Sequence, residues 1–205
     1  MIQHYYFAVP GWFVQENLFT QMVLSCNDSD QYHFVEIGSW KGKSSTYMGV
    51  EIINSGKKIK FDCVDTWLGS PEHLDKNNDS YEPLLEIPNG LYNDFIKNIH
   101  PVKSAIHPIR MTSIEASKLY EDGSLDFIFI DGAHDYKSVK EDVEHWFPKL
   151  KVGGYITGDD YVGHGLSVSN AVDEYFGKNN VTTIKAPAYK YAEQTWVVKK
   201  KDELL

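Results

Sequence analysis

The chain has 205 residues and a net charge of −9, a length that suits one α/β domain better than two. That charge, with a pI near 5.3, excludes the clustered Lys and Arg face of a nucleic-acid binder, and the basic run Lys199-Lys200-Lys201 is too short to supply one. Cys26 and Cys63 lack metal-type spacing, and the amino end MIQHYYFAVPGWF lacks the basic region and apolar run of a secretory signal. No apolar run reaches membrane-spanning length. The expectation is a cytoplasmic protein with no membrane or nucleic-acid partner, for which a homo-oligomer remains open. The tail KDELL is read as a charged end, because its final leucine departs from an ER-retention signal.

In chain order, residues 1–30 are expected to form an amino-terminal helical segment of a single domain spanning 1–205. HFVEIG (33–38) is an apolar run bounded by turn residues, as befits a strand buried on both faces. The glycine loop EIGSWKGKSS (36–45) follows, then a helical pattern through Tyr47, Met48, Ile52 and Ile53. KIKFDCVD (58–65) is the second strand. Residues 67–90, WLGSPEHLDKNNDSYEPLLEIPNG, break the alternation. They are rich in turn residues yet carry Trp67, Leu68, Tyr81, Leu84, Leu85 and Ile87, which suggests a lid.

SAIHPI (104–109) and LDFIFID (125–131) read as further strands, and Thr112-Ser113-Ile114-Glu115 between them has the form of a capping box. A helix with Tyr136, Val139, Val143, Trp146, Phe147 and Leu150 on one face leads to the strand GYITGD (154–159). Another carries Val168, Ala171, Val172, Tyr175 and Phe176 and stops at Gly177. VTTIKA (181–186) and QTWVVKK (194–200) follow with no helix between them. This order predicts a Rossmann-like, doubly wound sheet of about seven mostly parallel strands, helices on both faces and an antiparallel strand at one edge.

The glycine loop lies between a strand and a helix, where open α/β sheets bind ligands. Gly42-Lys43-Ser44 has the ending of a P-loop, and LDFIFID could serve as the acid-tipped strand that holds magnesium in such proteins. Against this, Gly38 stands one residue too close, with Ile37 in the place of the first glycine. Asp65 ends the second strand, where an acid binds ribose hydroxyls. A nucleoside held through its ribose fits better than a triphosphate held by its tail.

From about residue 33 to 198, and most specifically at Glu36-Ile37-Gly38-Ser39-Trp40-Lys41-Gly42-Lys43-Ser44, the chain resembles the class I S-adenosylmethionine (SAM) methyltransferases, in the metal-dependent O-methyltransferase variant that acts on catechols and macrolide sugars. The resemblance implies SAM as cofactor. By that likeness Gly38 and Gly42 admit its methionine part, Glu36, Ser39, Trp40 and Ser44 line it, and Asp65 takes the ribose. Thr112 and Ser113 fall where the family contacts adenine, a role compatible with a cap.

Asp131 ends one strand and Asp159-Asp160 end the next, so three carboxylates should converge beside the cofactor loop, Asp131 serving both sites. Clustered oxygen donors without thiolate favour a hard divalent cation such as Mg²⁺. The resemblance points the same way. The alternative is that these acids cap turns and end a strand. His134, with an ordinary pKa near 6.5, is the general-base candidate because a neutral imidazole accepts a hydroxyl proton. His164 is a second, weaker candidate. The expected reaction is methyl transfer from SAM to a hydroxyl of a small-molecule or glycosyl acceptor, Mg²⁺-assisted. The alternatives are a metal-independent methyltransferase, a P-loop nucleotide binder and a non-catalytic SAM-binding module.

Overall fold

A computed structural model describes residues 1–162, 166–185 and 195–202. Among these, strands β1 (Gln31–Ile37), β2 (Lys58–Asp65), β3 (Ile106–Arg110), β4 (Leu125–Ile130), β5 (Leu150–Gly158), β6 (Thr182–Ile184) and β7 (Thr195–Lys199) form one sheet in the order β3-β2-β1-β4-β5-β7-β6. β1 to β5 run parallel. β7 enters antiparallel between β5 and β6, so the antiparallel element stands at the expected end of the sheet with β6 outside it. Ala186 and Gln194, the inner ends of the two expected terminal strands, lie outside the described residues, as does the end of the KDELL tail.

Helices α1 (Glu16–Ser25), α2 (Lys43–Ser55), α3 (Pro71–Leu74), α4 (Gly90–Ile99), α5 (Ser113–Ser117), α6 (Tyr136–Trp146) and α7 (Ser167–Phe176) supply the crossovers and the amino-terminal cover. α6 stops at Trp146, short of the expected Leu150. Phe147–Lys149 tighten into a 3-10 turn containing Pro148, and Leu150 already pairs with Leu125 to open β5.

The period-2 side-chain alternation divides the core into two layers. Phe34, Phe61 and Phe127 sit side by side on β1, β2 and β4, facing Phe19, Met48 and Phe95. Val35, Ile128 and Ile156 point the other way, against Val143, Trp146 and Val172. Trp67, expected in the lid, belongs to the first layer: it is 2% exposed, its ring lies 4.7 Å from that of Phe95, and its Nε1 donates to the Trp40 carbonyl at 2.8 Å. The rest of 67–90 holds α3 and a 3-10 turn at Pro83–Glu86 and is tied down by a Lys41–Glu82 ion pair at 2.6 Å. Among the described residues no helix is long and apolar enough to cross a membrane.

Asp62 carries charge into the interior of this frame. Asp62, 0% exposed on β2, accepts from Tyr120 Oη at 2.9 Å and pairs with His33 Nε2 at 2.6 Å, Lys60 Nζ at 3.0 Å and His107 Nδ1 at 3.0 Å. Burial opposes its ionisation, but the hydrogen bonds from His33, Lys60 and Tyr120 outweigh that and lower its pKa to about 2. Its stabilisation is therefore complete above the unfolded value near 4 and lost as pH falls toward the folded one. Urea unfolding near pH 7 should show Asp62→Asn less stable by about 2–3 kcal/mol. The gap to the native chain should narrow as the pH falls below about 4. A gap independent of pH would contradict the assignment.

Candidate functional site

The strand order reverses between β1 and β4, so the loops after β1 and β4 diverge and leave a crevice at the carboxyl ends of the strands. There the end of β1 is clamped between its neighbours: Gly38 N–H donates to the Val64 carbonyl at 2.9 Å, and Asp131 N–H to the Ile37 carbonyl at 2.7 Å. At Gly38 (φ +88°) a Cβ would stand 2.0 Å from the Asp131 carbonyl oxygen. The glycine is thus required by the neighbouring backbone itself, before any ligand is considered. Gly42 (φ +86°) opens α2, and a Cβ there would meet Phe95 at 3.0 Å. It packs against α4 and is not in the cavity wall, contrary to the expectation that it admits a cofactor.

Asp65 holds the loop from below, accepting from Trp40 N–H at 2.8 Å and Trp67 N–H at 2.7 Å, one on each oxygen. Burial raises its pKa despite these amides. A carboxylate offers about four lone-pair directions, so acceptance from a ribose hydroxyl remains open to it. Glu36 is 0% exposed and bound by the Ser45 hydroxyl, and burial raises its pKa to about 7 against the opposing hydroxyls of Ser44, Ser45 and Ser39. It lies beneath the loop, not in the wall as expected. Lys43, the lysine of the P-loop-like ending, donates to the Gly11 carbonyl at 2.8 Å and so ties down the amino-terminal segment.

The crevice is a cavity of about 620 Å³. Of the residues singled out in the sequence, Gly38, Ser39, Trp40, Ser44 and Asp65 line it from the first two strands, and Thr112 and Ser113 from beyond β3. The capping box is real: Thr112 accepts from Glu115 N–H at 3.3 Å while Glu115 accepts from Thr112. Asp131 and His134 enter after β4, and Asp159 and Asp160 after β5. Three contributors were not legible. Pro10–Val14 form part of the wall, His73 packs against Trp40 with ring centroids 4.3 Å apart and planes inclined by 36°, and Asp142 projects from α6. Only Asp142 left a signal, because it stands three residues after Val139 and four before Trp146, on the buried face of α6.

The acids converge, with His134 among them. Its Nε2 lies 3.4 Å from Asp131 Oδ1 and 3.5 Å from Asp160 Oδ2. Asp159 Oδ1 accepts from the buried amide of Gln15 at 2.7 Å, and that amide also donates to Thr195 Oγ1 at 3.0 Å. Burial, with the charges of Asp131 and Asp160, raises the pKa of Asp159 well above the usual carboxylate range. Burial would lower His134, but its bond to Asp131 and the charges of Asp131, Asp160 and Asp159 raise it to about 9. The neutral imidazole expected at physiological pH is therefore disfavoured, because the surrounding acids hold the proton on His134.

The chemistry of three carboxylates suits a hard cation, but the arrangement does not. Among the described residues no three His, Cys, Asp or Glu side chains are placed to hold a metal ion, with His134 between two acids and Gln15 on the third. His164 lies outside the described residues.

Residues 35–161 match the family described as a methyltransferase domain, and the chain belongs to that family. Its fold is similar to the O-methyltransferase NovP, with a TM-score of 0.62 at 19% identity over 91% of this chain and 79% of that one. It is likewise similar to the O-methyltransferase from Bacillus cereus solved in complex with SAH, with a TM-score of 0.59 at 15% identity over 94% and 85%. These likenesses establish the class I methyltransferase fold. In sequence, an uncharacterised protein of Acanthamoeba polyphaga mimivirus is 28% identical over 142 residues, 65% of this chain. The chain spans about half of that protein, 53% of its length.

If the backbone of Asp131 and not a ligand dictates Gly38, Gly38→Ala should be costly in the ligand-free protein. Thermal unfolding should show a loss of about 3 kcal/mol or more, the range in which a buried overlap must be relieved by backbone movement. A variant with native stability that fails only in ligand binding would show that the space is reserved for the ligand.

Proposed function

We propose that the chain transfers a methyl group from SAM to a hydroxyl of a small-molecule or sugar acceptor. The observation that carries this reading is the joining, on one cavity, of the glycine loop with Asp65 beneath it and His134 across from it. Membership of the methyltransferase-domain family and likeness to folds solved as O-methyltransferases support it. Gly38, Ser39, Trp40 and Ser44 would hold the methionine part and Asp65 the ribose, while Trp40 and His73 add aromatic surface to the wall. The sulfonium methyl is already activated, so the protein's work is to present the acceptor oxygen in line and take its proton. His134 would take the proton.

The charge on His134 sets the pH dependence. A base must be neutral, and the surrounding acids hold this imidazole protonated until pH rises through about 9. Transfer from labelled SAM to phenolic and sugar hydroxyls should therefore climb on the alkaline side. His134→Ala should lower turnover by about a hundredfold and flatten that limb while SAM still binds. Turnover unchanged in His134→Ala would remove the residue from the mechanism.

A second reading, Mg²⁺ assistance, is favoured by the mutual repulsion of Asp131, Asp159 and Asp160. Asp131, Asp159 and Asp160 would have to release His134 and Gln15 to become ligands, so no step is routed through the ion. Calorimetric titration with Mg²⁺, and the same pH profile in EDTA, separate the two readings. Binding of Mg²⁺ that is lost in Asp160→Ala, together with EDTA-sensitive transfer, would establish the metal; transfer unaffected by EDTA would establish the metal-independent form.

A further inference from the structure

One side chain in the cavity wall has no part in the reading so far. Asp142 on α6 is 6% exposed, yet it lines the cavity together with Ser138 and Glu141 of the same helix. A buried carboxylate is costly unless something uses it. Part of its need is met within the protein: Ser113 Oγ donates to Asp142 Oδ1 and itself accepts from Trp146 Nε1 at 2.8 Å.

This short chain has a fixed polarity. An indole N–H can only donate, so the Ser113 hydroxyl spends its acceptor side on Trp146 and must direct its proton to Asp142. Trp146 is itself 0% exposed and cannot turn away. Oδ1 of Asp142 is therefore committed. Among the described residues Oδ2 receives no hydrogen bond, and it faces the Gly132 side of the wall, 3.9 Å from where a Cβ on Gly132 would stand. Burial raises this carboxyl to about 6, with the Ser113 hydroxyl opposing, so that it is ionised at neutral pH.

The position of this acceptor relative to Asp65 limits what it can read. Met111 N–H donates to the Asp65 carbonyl at 3.2 Å, so the wall segment Met111–Ile114 begins directly beside the residue assigned to the ribose. A base attached to that ribose would lie along this segment, between the side chains of Met111 and Ile114 and the start of α6. Given SAM as the cofactor, on which this step rests, we infer that Asp142 Oδ2 accepts a hydrogen bond from the exocyclic amine of the adenine and thereby selects adenine over a 6-oxopurine. The choice is one of sign. An amine donates to a carboxylate, whereas the carbonyl of hypoxanthine would set acceptor against acceptor in a buried site. Glu141, which also lines the cavity, is half-exposed and pairs with Lys137 at 3.8 Å, so it is the control and not the reader.

The test compares S-adenosylhomocysteine with S-inosylhomocysteine by calorimetry, using the intact chain. The native protein should bind the adenosyl compound about ten- to a hundredfold more tightly, as expected for a hydrogen bond to a buried charged group. In Asp142→Asn the amide oxygen still accepts from Ser113, because Trp146 enforces that direction, and the NH₂ takes the place of Oδ2. The preference should then collapse or reverse, while Glu141→Gln keeps it. Equal affinity of the native chain for the two compounds would overturn the inference without any variant being needed. So would a preference unchanged in Asp142→Asn, or one lost in Glu141→Gln. Failure of the native chain to bind either compound would instead overturn SAM as the cofactor.

Discussion

The close approach of the first strand end to the backbone of β4 is the constraint on which the rest of the site depends. Gly38 N–H reaches β2 and the Ile37 carbonyl receives Asp131 N–H, so the chain leaving β1 passes between two strands with no room for a side chain. Beyond that passage the loop emerges with Trp40 in a left-handed conformation, φ +47°. Its amide then points at Asp65 and its carbonyl at the Trp67 indole. The same contact brings Asp131 and His134 up against the loop. One backbone packing event thus assembles the cofactor side and the chemical side of the cavity together.

The electrostatics of the cavity follow from burying more acid than base at that junction. Burial and the charges of Asp131 and Asp160 oppose ionisation of Asp159, and two contacts offset the cluster: His134 between Asp131 and Asp160, and the amide of Gln15, brought from the amino-terminal segment, on Asp159. Elsewhere the chain treats buried acids differently. Asp62 is given four partners of its own and stays charged, whereas Glu36 is surrounded by hydroxyls and has its pKa raised to about 7.

The amino-terminal segment is more than a cover. Lys43 fastens it through Gly11, Gln15 fastens it through Asp159 and Thr195, and between those two points Pro10–Val14 face the cavity. The segment is anchored on both the glycine loop and the acid cluster, and it gives the cavity a wall that the sheet alone would not provide.

The sequence by itself determined the order and class of the elements, because apolar runs bounded by turn residues and stripes of period 3.6 are local signals. It also determined which strand ends carry acids, and so the side of the sheet on which the cavity opens. What it could not determine were partners distant in the chain. That Glu36 and Gly42 face inward, that Trp67 is core and not lid, that Gln15 holds Asp159 and that Asp142 enters the wall all depend on contacts between segments brought together only by the sheet order. The protonation of His134 belongs to the same group, since three carboxylates from two strand ends raise a pKa that a lone histidine would keep near 6.5. Periodicity reports which way a side chain faces, but packing alone decides what it meets there, and in this cavity charge and hydrogen-bond direction follow from what is met.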